Sequence, residues 1–168
     1  QAEELGLPCS DGLPMLVAQA KAAEEYFFEK TIPDSENERI LAMLRQEMTN
    51  IVLIGMPGSG KSTVGQLLAE KTGKSFLDAD AVIAAKAGCS IPEIFAKDGE
   101  AGFRAMETEV LSELGKQSGL VIATGGGCVT REENYPLLHQ NSRIIWLDRC
   151  PARLPTEGRP LSQKTHPA

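Results

Sequence analysis

The sequence has no concentration of positive charge. Its formal net charge is −6, and its lysines and arginines form no cluster. Affinity for a polyanion rests on clustered cations, which argues against a general nucleic-acid binder but leaves room for a nucleotide in one local pocket. Its four cysteines, Cys9, Cys89, Cys128 and Cys150, are widely spaced, with no Cys-x-x-Cys and no histidine pairing at zinc spacing. Reduced thiols in a cytoplasmic protein are therefore expected, rather than disulfides or metal ligands. No apolar run approaches the roughly 18 residues needed to cross a bilayer. The opening Gln1, Ala2, Glu3 and Glu4 lacks the charged-then-apolar form of a signal peptide, so no membrane partner is expected. An Asn-Lys-x-Asp motif is also lacking, which weakens a guanine-nucleotide switch.

What the sequence does carry is centred on Ile51 to Thr63. An apolar run leads to Gly55, four residues follow, and then come Gly60, Lys61 and Ser62. This is the pattern of a phosphate-binding loop between a strand and a helix. Several backbone N–H groups must converge on phosphate oxygens there, and a Cβ at the glycine positions would obstruct them. Lys61 supplies charge for the β and γ phosphates, and the Ser62 hydroxyl suits Mg²⁺. At 168 residues with 42% hydrophobic content, the chain is long enough for one well-buried α/β domain with a small appendage.

The first forty-eight residues read differently from the rest. Leu13, Leu16, Val17, Ala20, Ala23, Tyr26 and Phe27 recur at helical spacing, and Ile32-Pro33 ends that helix. A second helix carries Ile40, Leu41, Leu44 and Met48 on one face. Two amphipathic helices bury little by themselves, so this extension needs a surface to pack on.

From Thr49 strands and helices alternate, which predicts a P-loop NTPase-like three-layer α/β/α fold around a parallel sheet. Ile51 to Ile54 reads as a buried strand. A helix follows from Val64 to Lys71, with Gly73 placed to end it. Ser75 to Asp80 reads as a strand ending in two carboxylates, with Asp78 and Asp80 on the same side of the extended chain. Either one caps the helix starting near Ala81, or they face the phosphate site, one near Mg²⁺ and the other on a substrate hydroxyl.

Ile91 to Arg104 predicts a short helix, a turn at Asp98-Gly99 and a longer helix burying Phe103, Met106, Val110, Leu111 and Leu114. Arg104 stands at the unfavourable end of that helix dipole. A substrate carboxylate would compensate it, and so would a surface ion pair with Glu100, Glu107 or Glu109. Leu120 to Thr124 reads as another buried strand. Gly125, Gly126 and Gly127 follow at its C-terminal end, where backbone can approach a ligand closely or simply turn. Thr130 and Glu133 form a capping-box pattern for a helix ending near Gln140, and Arg143 to Leu147 reads as a fourth strand. Beyond Asp148, the stretch with Arg149, Arg153 and Arg159 is proline-rich and basic: a lid over a transferring phosphate, or a basic tail.

Together, Gly55 to Thr63, Asp78-Ala-Asp80, Gly99 to Arg104, Gly125 to Gly127 and Gly158 to Leu161 resemble shikimate kinase in identity, order and spacing, over residues 49 to about 163. The resemblance implies transfer of the γ-phosphoryl group of ATP to the 3-hydroxyl of shikimate. It places Gly58, Ser59, Gly60, Lys61, Ser62 and Thr63 on ATP, and Ser62 and Asp78 on Mg²⁺. Asp80 would orient the reacting hydroxyl and accept its proton. Arg104, Gly126 and Gly127 would bind shikimate, and Arg159 would be the lid arginine at the phosphates. The family continues past its lid with a helix and a strand carrying a second carboxylate-binding arginine, so a kinase domain truncated after the lid is expected from this sequence.

Asp11 to Ala20 is similar to the C-terminal helix of shikimate dehydrogenase, a family in which a glutamine at the position of Gln19 contacts substrate. That implies a covalent fusion, with residues 1–48 as the dehydrogenase's end and 49–168 as the kinase. The dehydrogenase's nicotinamide fingerprint and catalytic Lys/Asp pair are absent from this chain. Two other readings of the phosphate loop stand beside the leading one: another small-molecule kinase, with an acceptor such as gluconate, and a non-enzymatic nucleotide-binding module.

Overall fold

The computed structural model describes residues 12–150. The chain divides into two units, Gln1–Glu47 and Met48–Ala168.

The first unit contains α1 (Leu13–Phe28) and most of α2 (Asp34–Met48). Pro14 suits the first turn of α1, where its missing N–H costs nothing, and the helix ends on Glu29 in a left-handed conformation (φ 48°). Asp34 and Glu36 stand in the first turn of α2, the end of the helix dipole that favours anions. Lys21 Nζ meets Asp34 Oδ1 at 2.5 Å, and Ile32 N donates to Glu25 Oε1 at 2.8 Å, so the turn is tied back to α1. Gln19 is exposed, as are Leu16, Tyr26 and Phe27 of the expected apolar stripe.

Among the described residues, the second unit is built on four parallel strands in the order β2-β3-β1-β4. These are β1 (Asn50–Ile54), β2 (Ser75–Asp78), β3 (Leu120–Ala123) and β4 (Ser142–Trp146). Between them run α3 (Lys61–Thr72), α4 (Ala79–Ala87), α5 (Ile91–Gly115) and, after a single 3-10 turn, α6 (Asn134–His139). Strand alternation divides the apolar residues between two faces. Leu53 and Val121 pack with Ala69 of α3 on one face. Val52 and Ile122 pack on the other with Ile83, Ile94, Phe103, Val110, Leu111, Leu114 and Leu138 from α4, α5 and α6. The result is the three-layer α/β/α arrangement expected from the alternation of elements.

Two buried amides fix the sheet's framework. Asn50 sits at the start of β1, where its Nδ2 donates to Gln117 O at 2.7 Å and its Oδ1 accepts from Leu120 N at 2.9 Å. Asn134 donates to Cys128 O at 2.8 Å and accepts from Thr108 Oγ1 at 2.8 Å, joining the loop after β3 to α5. An unpaired buried amide would cost about 1–3 kcal/mol, so these bonds specify the register of the segments they join.

Two local features differ from the sequence expectation. β2 ends at Asp78 rather than Asp80, because Asp78 turns the chain and caps α4: its side chain accepts from Asp80 N at 3.1 Å. Asp80 therefore lies in the first turn of a helix, and strand alternation does not relate it to Asp78. Thr130 and Glu133 do not form a capping box. Thr130 Oγ1 donates to Gly127 O at 2.7 Å within the 3-10 turn, and Glu133 pairs with Arg131. A reciprocal capping box forms instead at the start of α5, where Glu93 Oε2 accepts from both Ser90 N (2.7 Å) and Ser90 Oγ (2.6 Å). The turn expected at Asp98-Gly99 is present as a break inside α5, with Gly99 at φ 68° and ψ −173°.

Candidate active site

In a parallel sheet, the C-terminal ends of the strands open onto a crevice where the strand order reverses direction. Here that point lies between β1, which runs into the phosphate loop, and β3, which runs into the three glycines. The two strand ends are locked together, since Thr124 N and Oγ1 both donate to Leu53 O, at 3.1 and 2.9 Å. A cavity of about 650 Å³ opens above them. Gly58, Gly60, Lys61, Ser62, Thr63, Asp78, Asp80, Arg104, Gly126 and Gly127 all line it, so nearly all the site residues expected from sequence come together. Ser59 is not among the lining residues, and its hydroxyl is buried without a hydrogen-bond partner among the described residues. Arg153 and Arg159 lie outside the described residues.

On the phosphate-loop side, α3 begins at Lys61, so its unpaired N–H groups and positive dipole end face the cavity. Lys61 Nζ donates to the loop's own carbonyls, Gly55 O at 2.8 Å and Met56 O at 3.0 Å. Ser62 Oγ donates to Asp78 Oδ2 at 2.7 Å. Of the roles weighed from sequence, Asp78 takes the cap of α4 with one oxygen, while its other oxygen accepts from the Ser62 hydroxyl. Two hard oxygen donors this close, beside a phosphate-loop lysine, fit Mg²⁺, which prefers few protein oxygens and keeps the rest of its shell for water and phosphate.

The opposite side is built around charge. The Arg104 guanidinium is only 12% exposed and lies 2.8 Å from Glu107 Oε2 and 3.6 Å from Glu100 Oε1. It also stands over the Phe103 ring, 5.4 Å from its centroid. The ion pair weighed from sequence is therefore made, but not at the surface: Glu107 is fully buried. Glu109, the third candidate, pairs instead with Lys86 at 3.2 Å.

Glu107 and Asp80 each retain one buried carboxylate oxygen, Oε1 and Oδ1, with no hydrogen-bond partner among the described residues. Both oxygens flank the same glycine. A Cβ on Gly125 would lie 2.5 Å from Glu107 Oε1 and 3.0 Å from Asp80 Oδ1. Burial raises the pKa of Asp80, and the Asp78 charge adds to that, while Lys61 and Arg104 oppose it. Burial also raises Glu107, against the stabilising bond from Arg104. Arg104 is thus the cation shared by two desolvated carboxyls.

The glycines are needed for close approach. A Cβ on Gly127 would overlap the Arg104 guanidinium, and one on Gly126 would overlap the Pro57 ring. The apolar wall consists of Ile91, Pro92, Phe95 and Phe103, with the two phenylalanine rings stacked at 4.7 Å between centroids. Sequence reasoning missed this wall and the burial of Glu107. The wall follows the break at Gly99, which sets the two halves of α5 at an angle. Glu107 had one available signal: it is the acidic residue one helical turn from Arg104, on the same face as the buried Phe103 and Val110.

The family model for shikimate kinase matches residues 57–167. Shikimate kinase of Parasynechococcus marenigrum is 52% identical over 124 residues, covering 70% of this chain and 64% of that protein. The enzyme of Synechococcus elongatus is 49% identical over 124 residues, covering 71% and 65%. Among solved structures, shikimate kinase from Acinetobacter baumannii in complex with shikimate aligns with a TM-score of 0.61 at 45% identity, covering 65% of this chain and 61% of that one. Shikimate kinase from Bacteroides thetaiotaomicron aligns with a TM-score of 0.63 at 31% identity, covering 71% of each chain. The chain spans slightly less than two thirds of the length of the cyanobacterial relatives. With a family match over most of its length and a cavity at the expected strand ends, the chain belongs to the shikimate kinase family.

Proposed function

We propose that the cavity transfers the γ-phosphoryl group of ATP to the 3-hydroxyl of shikimate. The observation that carries this reading is the sharing of one cavity by the phosphate loop, Asp80 and Arg104, the last held from behind by buried Glu107. The donor's phosphates and a small hydroxylated carboxylate would thus lie side by side. The relative solved in complex with shikimate supports the choice of acceptor.

In this reading the amides of Gly58, Gly60, Ser62 and Thr63, together with Lys61, hold the polyphosphate. Lys61 exchanges the carbonyls of Gly55 and Met56 for phosphate oxygens. Ser62 and Asp78 hold Mg²⁺, which neutralises charge on the phosphates when bound. Arg104 takes the acceptor's carboxylate, with the amides of Gly126 and Gly127 beside it. Asp80 accepts the proton of the 3-hydroxyl as that oxygen bonds to the γ-phosphorus and the bond to the ADP oxygen breaks. Little covalent help is needed, because such transfers depend mainly on positioning and charge. Arg159 is assigned to the phosphates on its sequence match alone.

The fusion to shikimate dehydrogenase is proposed only on the similarity of Asp11 to Ala20, a stretch outside the family match at 57–167. It is tested by sequencing upstream of Gln1 for a nicotinamide-binding domain.

ADP release measured with shikimate, with gluconate and with no acceptor tests the kinase reading. Release that depends on shikimate is expected. Release with gluconate but not shikimate, or at the same rate without an acceptor, would overturn the assignment.

A further inference from the structure

Arg149 follows the last residue of β4 by three positions and lines the cavity on the phosphate-loop side. Its Nη1 donates to Gly58 O at 3.2 Å. The approach is prepared two residues earlier. Leu147 N donates to Ile54 O at 2.8 Å, and the Leu147 carbonyl lies 2.5 Å from where a Cβ on Gly55 would stand. Only a glycine at the first position of the loop (φ 146°) lets the segment after β4 run this close. Leu147 thus meets the start of the phosphate loop and Arg149 its middle, three residues on, with the arginine carried there by the backbone contacts of Leu147.

Among the described residues its charge is also uncompensated. The other two cations of the cavity are occupied: Lys61 donates to loop carbonyls and Arg104 pairs with buried Glu107. Arg149 makes no ion pair among the described residues. A guanidinium carries five N–H donors in a planar fork, and one bond to Gly58 leaves the rest for a second partner. A fork held at one edge beside a polyphosphate cradle is suited to two phosphate oxygens, more so than a lysine there would be.

We propose that Arg149 is a polyphosphate-binding residue of the nucleotide site, anchored through Gly58 O and supplying charge from the end of β4. The assignment rests on the reading of this cavity as a nucleotide site. It makes Arg149 a further contributor to nucleotide affinity, separate from the loop motif and from the arginines of the following segment. Its contribution falls on the donor and not on the acceptor.

The test is displacement of a fluorescent ADP analogue from the 168-residue chain, without acceptor, by ADP and by tripolyphosphate. Arg149→Gln keeps a donor for Gly58 O and removes the charge, whereas Arg149→Lys keeps the charge and loses the fork. Thermal unfolding of each variant confirms that the fold is retained. Expected is about tenfold weaker displacement by both competitors in Arg149→Gln, an intermediate loss in Arg149→Lys, and a difference that shrinks as salt is raised. Unchanged affinities in Arg149→Gln would reduce Arg149 to a tether for the loop and overturn the proposal. So would a loss for ADP without a loss for tripolyphosphate, since that places the contact on the base or ribose. A wild-type chain that fails to bind the ADP analogue would overturn the nucleotide reading itself, a result distinct from either.

Discussion

Glu107 holds Arg104 from within the core: its Oε2 lies 2.8 Å from Arg104 Nη1, and the carboxylate has no solvent exposure. The pair fixes the guanidinium at the cavity wall, where its remaining donors can meet an anion. Glu107→Gln keeps the shape and removes the anchoring charge. Shikimate KM should rise about tenfold while nucleotide affinity stays within twofold, because losing a buried charge-assisted bond typically costs about 1.5–3 kcal/mol. Equal effects on both substrates would show that Glu107 supports the fold and not the acceptor side.

Arg104→Leu removes the one cation that, among the described residues, acts on both Glu107 and Asp80. It should weaken shikimate binding more than Glu107→Gln does, since the carboxylate partner itself is lost. It should also destabilise the chain by about 3–5 kcal/mol near neutral pH, the usual cost of leaving one member of a buried pair uncompensated. Parallel measurement of shikimate KM and the urea midpoint checks both effects.

The pKa of Glu107 is raised by burial, so the folded state holds that proton to higher pH than the unfolded chain does. A raised acid costs stability as pH climbs from the ordinary carboxylate range through the raised value, and costs none below it. Glu93, whose pKa is lowered by its Ser90 bonds, contributes in the opposite direction and is common to wild type and variant. The stability of wild type relative to Glu107→Gln should therefore fall as pH rises through and above the ordinary carboxylate range. A difference independent of pH would mean that Glu107 titrates normally.

Gly127→Ala should displace Arg104, because the added Cβ overlaps the guanidinium. A flexible side chain can yield where backbone cannot, so the variant should fold and lose acceptor affinity. Gly125→Ala presses on buried Glu107 and Asp80 instead and should cost about 1–3 kcal/mol of stability. Thermal unfolding and shikimate titration of the two variants should therefore rank them in opposite orders.

Asp78 has two duties that substitution can separate. Asp78→Asn retains an acceptor for Asp80 N, whereas Asp78→Ala loses the α4 cap and about 1 kcal/mol with it. Both should raise the Mg²⁺ requirement for turnover, while only the alanine variant should lower the unfolding midpoint. A normal Mg²⁺ requirement in Asp78→Asn would remove Asp78 from the metal site.

Much of the fold could be read from local pattern. The buried runs Ile51 to Ile54 and Leu120 to Ala123 are strands, and the break at Gly99 is where the turn was expected. The phosphate loop was legible because its function constrains neighbouring backbone, which leaves a contiguous trace. What failed to show was whatever depends on distant partners. Asp80 looked like a strand residue because Ser75 to Asp78 is extended, and only the Asp78 cap ends the strand. Thr130 matched a capping pattern, but the glycines before it fold into a 3-10 turn that takes its hydroxyl. Glu107 looked like a surface glutamate because its one local signal, the face shared with Phe103 and Val110, does not say that α5 turns that face toward the end of β3. Arg149 read as one basic residue in a proline-rich stretch, since its contact with Gly58 joins segments 91 residues apart that only the pairing of β4 with β1 brings together.

The central claim is that the group poised beside the phosphate loop is Asp80, acting on one particular hydroxyl. Phosphorus and proton NMR of the product formed from ATP, Mg²⁺ and shikimate reads this directly. Phosphate on the 3-hydroxyl, with product formation lowered at least about 100-fold in Asp80→Asn while ADP binding is retained, is the predicted result. Phosphate on another hydroxyl, release of inorganic phosphate alone, or undiminished transfer by Asp80→Asn would refute it.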